Sequence, residues 1–566
     1  MAADDFSTLF ARGRVLLQIE DARALETLQR AVDASQNAPK SEQVAAVLAL
    51  SRASQKWQSR DDATEVLARG LKQNDAKEIR DALAPLLVEG LPQNASENTL
   101  QSLSEIGARG QWTLQKSTFS FPALEVENSK FARNHTFDIL QTRGELFVSG
   151  KNADGAPRLW RTPKLYAAYS PLPATLQMNR AVYGYVKTGE KWRQVARVLY
   201  ANVDGENARA QKICDVFLRV WCSFQLKLKR DNLYANVTTI WLSRESALWP
   251  QSENTPNWNA GAQLDSAPAE MILFRTGETR SDAEWLREIA HEYSHIALPP
   301  FAGYKMPLEP FGNGVLGESL LMLWALNAPP SFFALEQIEA ARPQLRVHVS
   351  RHAIPAWKSW LAHDPRAEIG GGDETARRKL QGLTLWVERV YGAPTLRFAL
   401  SQLNENPENR RQAALAWAQR RNADGKVNET VLSAEDLRRV VGDSISITAQ
   451  NDVSSRLPLV LRLDQTIWLG GALRSSKPMS PEISPDALAN RAPLKLRANE
   501  RASGWIYIPR GAKSLRVTSS TRFVADGWKT SFANNAVVLK CEDKTGWQRL
   551  AIRATHNFEI GAARFE

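Results

Sequence analysis

The sequence predicts a multidomain α+β protein, ordered helical, β, mixed, β. Three observations carry this. At 566 residues the chain is too long for one hydrophobic core. Apolar residues recur every three or four positions over roughly the first hundred residues and every second position near the C-terminus. Between these regions stands a single segment, Ser281 to Pro300, with the pattern His-Glu-x-x-His at His291, Glu292 and His295. The boundaries expected are 1–107 for a helical, solenoid-like domain, 108–204 for a small β-domain, 205–443 for the unit built around the motif, and 444–566 for a β-sandwich or jelly roll.

Composition narrows the classes. Apolar residues make up 43% and charged residues 23%, the balance of a folded chain rather than a disordered one. No apolar run approaches the length of a membrane span. The net charge of +11 is scattered among acids, and clusters such as Lys227-Leu228-Lys229-Arg230 read as solvated helix faces. No zinc finger or aromatic-basic stripe is present, so nucleic acid is not expected as a partner. Three Cys do not make a disulfide framework. Cys214 and Cys222 stand eight apart in a helical pattern, about 12 Å along the axis, too far for a bridge. The chain lacks the basic-then-apolar start of a signal peptide, and the expectation leans to an extracytoplasmic setting, secreted or periplasmic.

The first domain offers short amphipathic pieces, among them KSEQVAAVLALSRASQKW and RDDATEVLARGLKQ, without a fixed repeat signature. The pattern then switches to strands, with FDILQTRGELFVSGK, RAVYGYVKTG and WRQVARVLYANV. The lone His135 falls here and reads as structural. A long helix, Ala208 to Lys229, opens the third unit and leads to a strand at Val237 to Ser243. Two further strands, Asn259 to Leu264 and Glu270 to Phe274, turn around Asp265 to Pro268.

The motif helix is strongly marked. Ser281 and Glu284 form a capping box, and Asp282 suits the first turn. Trp285, Ile289, Tyr293 and Ile296 line one apolar face, and Pro299-Pro300 ends the helix. His291 and His295 are one turn apart on another face, the spacing at which two imidazoles close on one zinc ion. Glu292 beside them is placed as a general base. Zinc requires a third protein donor. Glu318, opening the apolar run Leu320 to Leu326 after a Gly-Asn-Gly turn, is the expected one. Glu309 between prolines is its rival, and His348 with His352 form a second i, i+4 pair further on.

This segment resembles the gluzincin branch of zinc metallopeptidases, the thermolysin-like superfamily, which pair the same motif with a downstream Glu on a second helix. The resemblance covers roughly residues 206–443. It implies a thermolysin-like domain binding one Zn2+ through His291, His295 and Glu318, with Glu292 as general base. It also implies that the edge strand before the motif helix, at Asn259, Ala260 and Gly261, holds an extended peptide through backbone hydrogen bonds. Many members carry an Asp four residues after the third ligand to orient a His. Here that position is Met322, and Glu288 is the substitute considered. The aminopeptidase run G-x-M-E-N is absent, with Leu264 at its Glu position, which favours an endopeptidase.

An oxyanion donor is expected in the helices that follow, with Tyr391, His348 and His352 as candidates. Gly370 to Asp373 reads as a hinge or lid loop. The last 120 or so residues carry about eight alternating strands, such as GWIYIPRG and WQRLAIRA. Trp505, Trp528 and Trp547 there are core residues or a contact for glycan or a cell surface. The expected function is zinc-dependent hydrolysis of peptide or protein substrates. The alternative is a non-catalytic peptidase-like scaffold whose β-modules bind glycan or protein.

Overall fold

The structure is a computed structural model. It describes residues 5–88, 90–106, 112–121, 135–144, 146–147, 178, 180–201, 203–231, 237–244, 260–263, 270–298, 313–328, 335–367, 374–402, 466–476, 483–509, 511–519 and 521–566. The chain is multidomain, with helices, several β-sheets and a β-rich C-terminal region.

Five helices open the chain: α1 (Phe6–Gln18), α2 (Arg23–Ala34), α3 (Lys40–Trp57), α4 (Arg60–Gln73) and α5 (Lys77–Val88). Each packs on the next. Side-chain caps start two of them: Asp5 accepts from the Thr8 N–H and Ser59 from the Asp62 N–H. After β1 (Asn94–Ala95) and α6 (Glu97–Ile106) come β2 (Trp112–Phe121), β3 (His135–Gly144), β4 (Leu146–Phe147), β5 (Arg180–Thr188) and β6 (Lys191–Tyr200). His135 begins β3 and lies apart from the motif in this order.

These strands do not form a separate small β-domain. β6 pairs in parallel with β7 (Thr238–Leu242), β7 pairs in parallel with β9 (Glu270–Leu273), and β8 (Ala260–Gln263) closes the edge antiparallel to β9. The result is one mixed sheet running β2-β3-β5-β6-β7-β9-β8 across the boundary expected near residue 204. The reason is the long helix Glu206–Leu228, a crossover that returns the chain parallel to β6. Cys214 on this helix approaches Gly184 of β5 so closely that a Cβ there would stand 2.7 Å from its Sγ. The approach coincides with a register shift at Gly184/Tyr185.

Both faces of the sheet are covered, which explains why β7 is buried at every residue. Ile240 and Leu242 of β7, with Met271 and Leu273 of β9, face the long helix and the motif helix. Trp241 and Ile272 between them face the N-terminal helices, together with Tyr183, Tyr185 and Trp192. Of the hairpin expected from Asn259 to Phe274, the strands Ala260–Gln263 and Glu270–Leu273 pair antiparallel, Gly261 opposite Ile272, while Asn259 and the turn lie outside the described residues. Cys214, Cys222 and Cys541 are buried free thiols, and burial pushes each pKa up. Among the described residues, no helix is long and apolar enough to cross a membrane.

The C-terminal region is built of antiparallel sheets. β10 (Thr466–Trp468), β14 (Ser514–Thr518), β16 (Thr530–Ala533), β17 (Ala536–Lys540) and β20 (Ala562–Phe565) make one, in the order β10-β20-β14-β17-β16. β11 (Arg474–Ser475), β13 (Arg501–Ile508), β15 (Phe523–Ala525) and β18 (Gly546–Ala554) make another, in the order β11-β13-β18-β15. The Trp residues considered as glycan contacts have other partners here. Trp547 packs against Trp360, Trp386 and Tyr507. Arg366 lies over Trp505, and Lys544 over the mostly buried Trp528.

A buried ion pair fastens this region to the central unit. Glu388 and Arg389 are both nearly inaccessible. Glu388 accepts from Arg389 Nη2 at 2.7 Å and from Trp324 Nε1 at 3.1 Å, while Arg389 Nη1 donates to the Ala489 carbonyl at 3.0 Å. Burial alone would raise the Glu388 pKa, but Arg389 outweighs it and holds the carboxyl at about 2. The folded value lies below the unfolded one. The stabilisation is therefore present above pH of about 4.5 and is lost as pH falls toward 2. Arg389→Met strands that carboxylate and is expected to cost about 3–5 kcal/mol at neutral pH. Urea midpoints at pH 7 and pH 3 measure it: the wild type loses stability between the two, and the variant loses less.

Candidate metal centre

The motif helix spans Asp282–Ala297, and its capping box is formed in full between Ser281 and Glu284. Its expected apolar face is buried at Trp285, Ile289, Tyr293 and Ile296. Tyr293 sits edge-on to both Phe217 and Phe224 of the long helix, with ring centroids 5.2 and 5.3 Å away. This anchoring turns His291 and His295 toward the next helix, Asn313–Leu326. The two helices cross with almost no spacing. A Cβ on Gly317 would collide with Ser294 Oγ, so only glycine allows the approach.

The site residues then fall as follows. The His291 and His295 rings lie 5.0 Å apart at 74°. Their Nε2 atoms converge on one point above Gly314: a Cβ there would stand 2.6 Å from His291 Nε2 and 2.5 Å from His295 Nε2. Glu292 is 7% exposed beside them. The far ring nitrogens are both engaged. His291 Nδ1 is 2.8 Å from Glu318 Oε2, and His295 Nδ1 is 2.8 Å from Asn313 Oδ1.

Those partners dictate the tautomers. Burial alone would raise the Glu318 pKa, but the bond from His291 and the nearness of His348 outweigh it and hold the carboxyl well below the usual range. As a carboxylate it can only accept, so His291 Nδ1 carries a proton. Asn313 is fully buried, and its Nδ2 donates to the carbonyls of Leu298 and Ser294 at 3.1 and 3.4 Å. Its Oδ1 therefore accepts, from His295 Nδ1 and from the Gly314 N–H. When the rings are neutral, a proton on each Nδ1 leaves each Nε2 with a lone pair. Burial, then the charge of His291, pull the His295 pKa down to about 3, which keeps that ring neutral at ordinary pH.

Glu318 thus meets the site at the Nδ1 side of His291, not where the Nε2 atoms converge. Among the described residues no three His, Cys, Asp or Glu side chains gather at metal-holding spacing. Glu309 and Asn259 lie outside the described residues. Glu288 pairs with Arg280 at 2.5 Å and Arg287 at 3.3 Å. Met322 is buried among apolar residues, and Glu318 makes the carboxylate contact looked for there.

The oxyanion candidates divide. Tyr391 is fully buried, and its hydroxyl accepts from the Tyr507 N–H at 3.0 Å and donates to the Tyr507 carbonyl at 3.1 Å. Both bonds tie it to the backbone of β13. His348 does approach Glu318: its Nε2 lies 2.9 Å from Oε1, off the line of a good hydrogen bond. His352 stacks on His348 at 4.5 Å, which brings the second i, i+4 pair against the same carboxylate. Gly370 to Asp373 lie outside the described residues. Ala260 and Gly261 stand on edge strand β8, as expected.

Sequence reasoning took Asn313 and Gly314 only as turn residues. The signal that could have found them is their spacing from Glu318: Gly314 is one turn before it, on the same helix face. Asn313→Ala would leave several buried groups without partners and is expected to cost about 2–4 kcal/mol, read from the shift of the urea midpoint.

Compared with protein-family models, with curated proteins and with solved structures, the chain has no match to any of them.

Proposed function

We propose that the chain is a zinc-dependent peptide-bond hydrolase acting as an endopeptidase, with a thermolysin-like arrangement of sheet edge, motif helix and following helix. One observation carries the reading: the Nε2 atoms of both rings lie within 2.6 Å of one Cβ position on Gly314, each ring is tied at its other nitrogen, and Glu292 next to His291 is buried. Imidazole nitrogens are zinc donors, and His291 and His295 would hold such an ion together with a third donor. Zinc bound there would polarise a scissile carbonyl and make water acidic enough to attack it.

The chain's own groups do the rest. The Glu292 carboxylate takes the proton of the attacking water and returns it to the leaving amine nitrogen. β8, the edge strand among the described residues, offers backbone N–H and C=O groups at Ala260 and Gly261 to an extended peptide and fixes its direction. The charged Glu318 keeps His291 turned toward the reacting centre. The C-terminal region, read as a β-sandwich, braces the helices behind the site through Arg389 and Tyr391.

A second reading, a peptidase-like scaffold that binds without cleaving, draws on one feature. The helix after the motif turns a glycine to the imidazole pair, and glycine supplies no side-chain donor. Metal analysis decides between them. Purified protein should hold about one zinc per chain, and His291→Ala should lose it. Glu292→Gln should keep the zinc while hydrolysis of a mixed peptide library falls by about 10²- to 10⁴-fold. No zinc, and no chelator-sensitive cuts by the wild type, would leave the scaffold reading standing.

A further inference from the structure

The outer face of one C-terminal sheet collects arginines that are far apart in the sequence. Arg501 of β13 stands directly opposite Arg553 of β18, Arg549 of β18 opposite Trp505, and Arg474 of β11 opposite Ser503. Residues 501, 503 and 505 share a face because side chains alternate along a strand. All four arginines are exposed, while Ala502, Ile506, Leu550 and Ile552 between them are buried in the core beneath. Among the described residues none of the four makes a hydrogen bond or ion pair through its side chain. Asp526, which follows β15 and donates its N–H to the Ala551 carbonyl, forms no ion pair with them either.

This layout works against the fold. Like charges directly opposite each other across an antiparallel pair are destabilising, and Arg501 with Arg553 is such a pair. An anion above the face would offset that repulsion, and the planar guanidinium fork matches a carboxylate. The face also has a repeat. Every two-residue step along the strands, about 7 Å, carries a guanidinium: Arg501 with Arg553, then Arg474, then Arg549. An extended polypeptide with acidic residues at every second position repeats at the same distance. The next step, Tyr507 opposite Trp547, is a wall, because Trp547 packs on Trp360 and Trp386 of the helices. Nucleic-acid bases find no open ring to stack on, since Arg366 lies over Trp505 at 4.5 Å. The apolar side chains beside the arginines, Val524 and Ala551, are too small for insertion into lipid.

We propose that this face is a docking surface for an extended, acidic segment of a protein, with carboxylates on alternate residues. On a peptide-bond hydrolase such a surface selects acidic proteins as substrates, through a segment other than the one that is cut. The substrate role rests on the reading of the chain as a peptidase. The binding does not.

The test is fluorescence anisotropy of labelled peptides on the full chain, with chelator present so that no cleavage intrudes. The probe is a peptide of about twelve alternating Glu and Ser residues, long enough to cover all three steps. An alternating Gln and Ser peptide, a polyuronate and an oligothymidylate are compared with it. The wild type should bind the Glu peptide, more weakly as salt is raised, and leave the Gln peptide unbound. Arg501→Ser with Arg553→Ser should weaken binding about tenfold. Arg12→Ser with Arg52→Ser removes the same charge from exposed positions on the N-terminal helices and should change it by less than about twofold. The urea midpoint of the first variant should equal or exceed that of the wild type, because a repulsion is removed.

Equal weakening by the two variants, or none by the first, would overturn the proposal. So would tighter binding of the polyuronate or the oligothymidylate at matched charge. If the first variant has a lowered urea midpoint, Arg549→Ser alone decides: unchanged peptide binding there overturns the docking surface, and weakened binding supports it. Binding of the Glu peptide by a chain that, freed of chelator, cuts no peptide would keep the docking surface and end the peptidase reading.

Discussion

The close crossing of two helices is the constraint from which the site follows. Helix Asn313–Leu326 can lie against the motif helix only because Gly317 presents no side chain to Ser294 and Gly314 presents none to the imidazoles. At that separation Asn313 reaches back to the end of the motif helix and satisfies carbonyls that a helix terminus leaves without partners. Glu318, one turn on from Gly314, meets His291. A longer residue at either glycine would push the helices apart and break both contacts together.

The burial of Glu318 shows why these contacts come as a set. Taking a carboxylate out of water costs several kcal/mol, and a single partner seldom offsets that. Here His291, His348 and Arg287 surround it, one from the motif helix at the ring nitrogen, one from the helix Leu335–His348, one from a turn earlier on the motif helix. The low pKa of Glu318 is the electrostatic record of that arrangement. The geometry of the site and its stability therefore draw on the same interactions. The Glu388–Arg389 pair repeats the logic at the boundary with the C-terminal region, where Trp324 of the crossing helix supplies one of the hydrogen bonds.

The sheet supplies the frame. Because both of its faces are covered, strands β7 and β9 alternate between two apolar environments rather than between core and solvent. The N-terminal helices are thereby part of the platform beneath the site, and the β-strands before residue 204 belong to the same hydrogen-bonded surface as the edge strand before the motif helix. Local alternation in the sequence is the same for a small separate sheet and for half of a large one. Only the parallel return through the long helix distinguishes them.

What the sequence determined by itself was local. The capping box, the apolar face of the motif helix, the paired strands before it and the helical start of the chain all depend on neighbours within a few residues, and all are present. So is the placement of His291 and His295 on one face, which helix geometry dictates. Tertiary structure decided what faces them. The rotation of one helix about its axis relative to another is set by packing of side chains far apart in sequence. A turn's difference along Asn313–Leu326 exchanges a glycine for a carboxylate. The same holds for Tyr391, whose hydroxyl is taken by the backbone of a strand more than a hundred residues later, a partner that no spacing rule could supply.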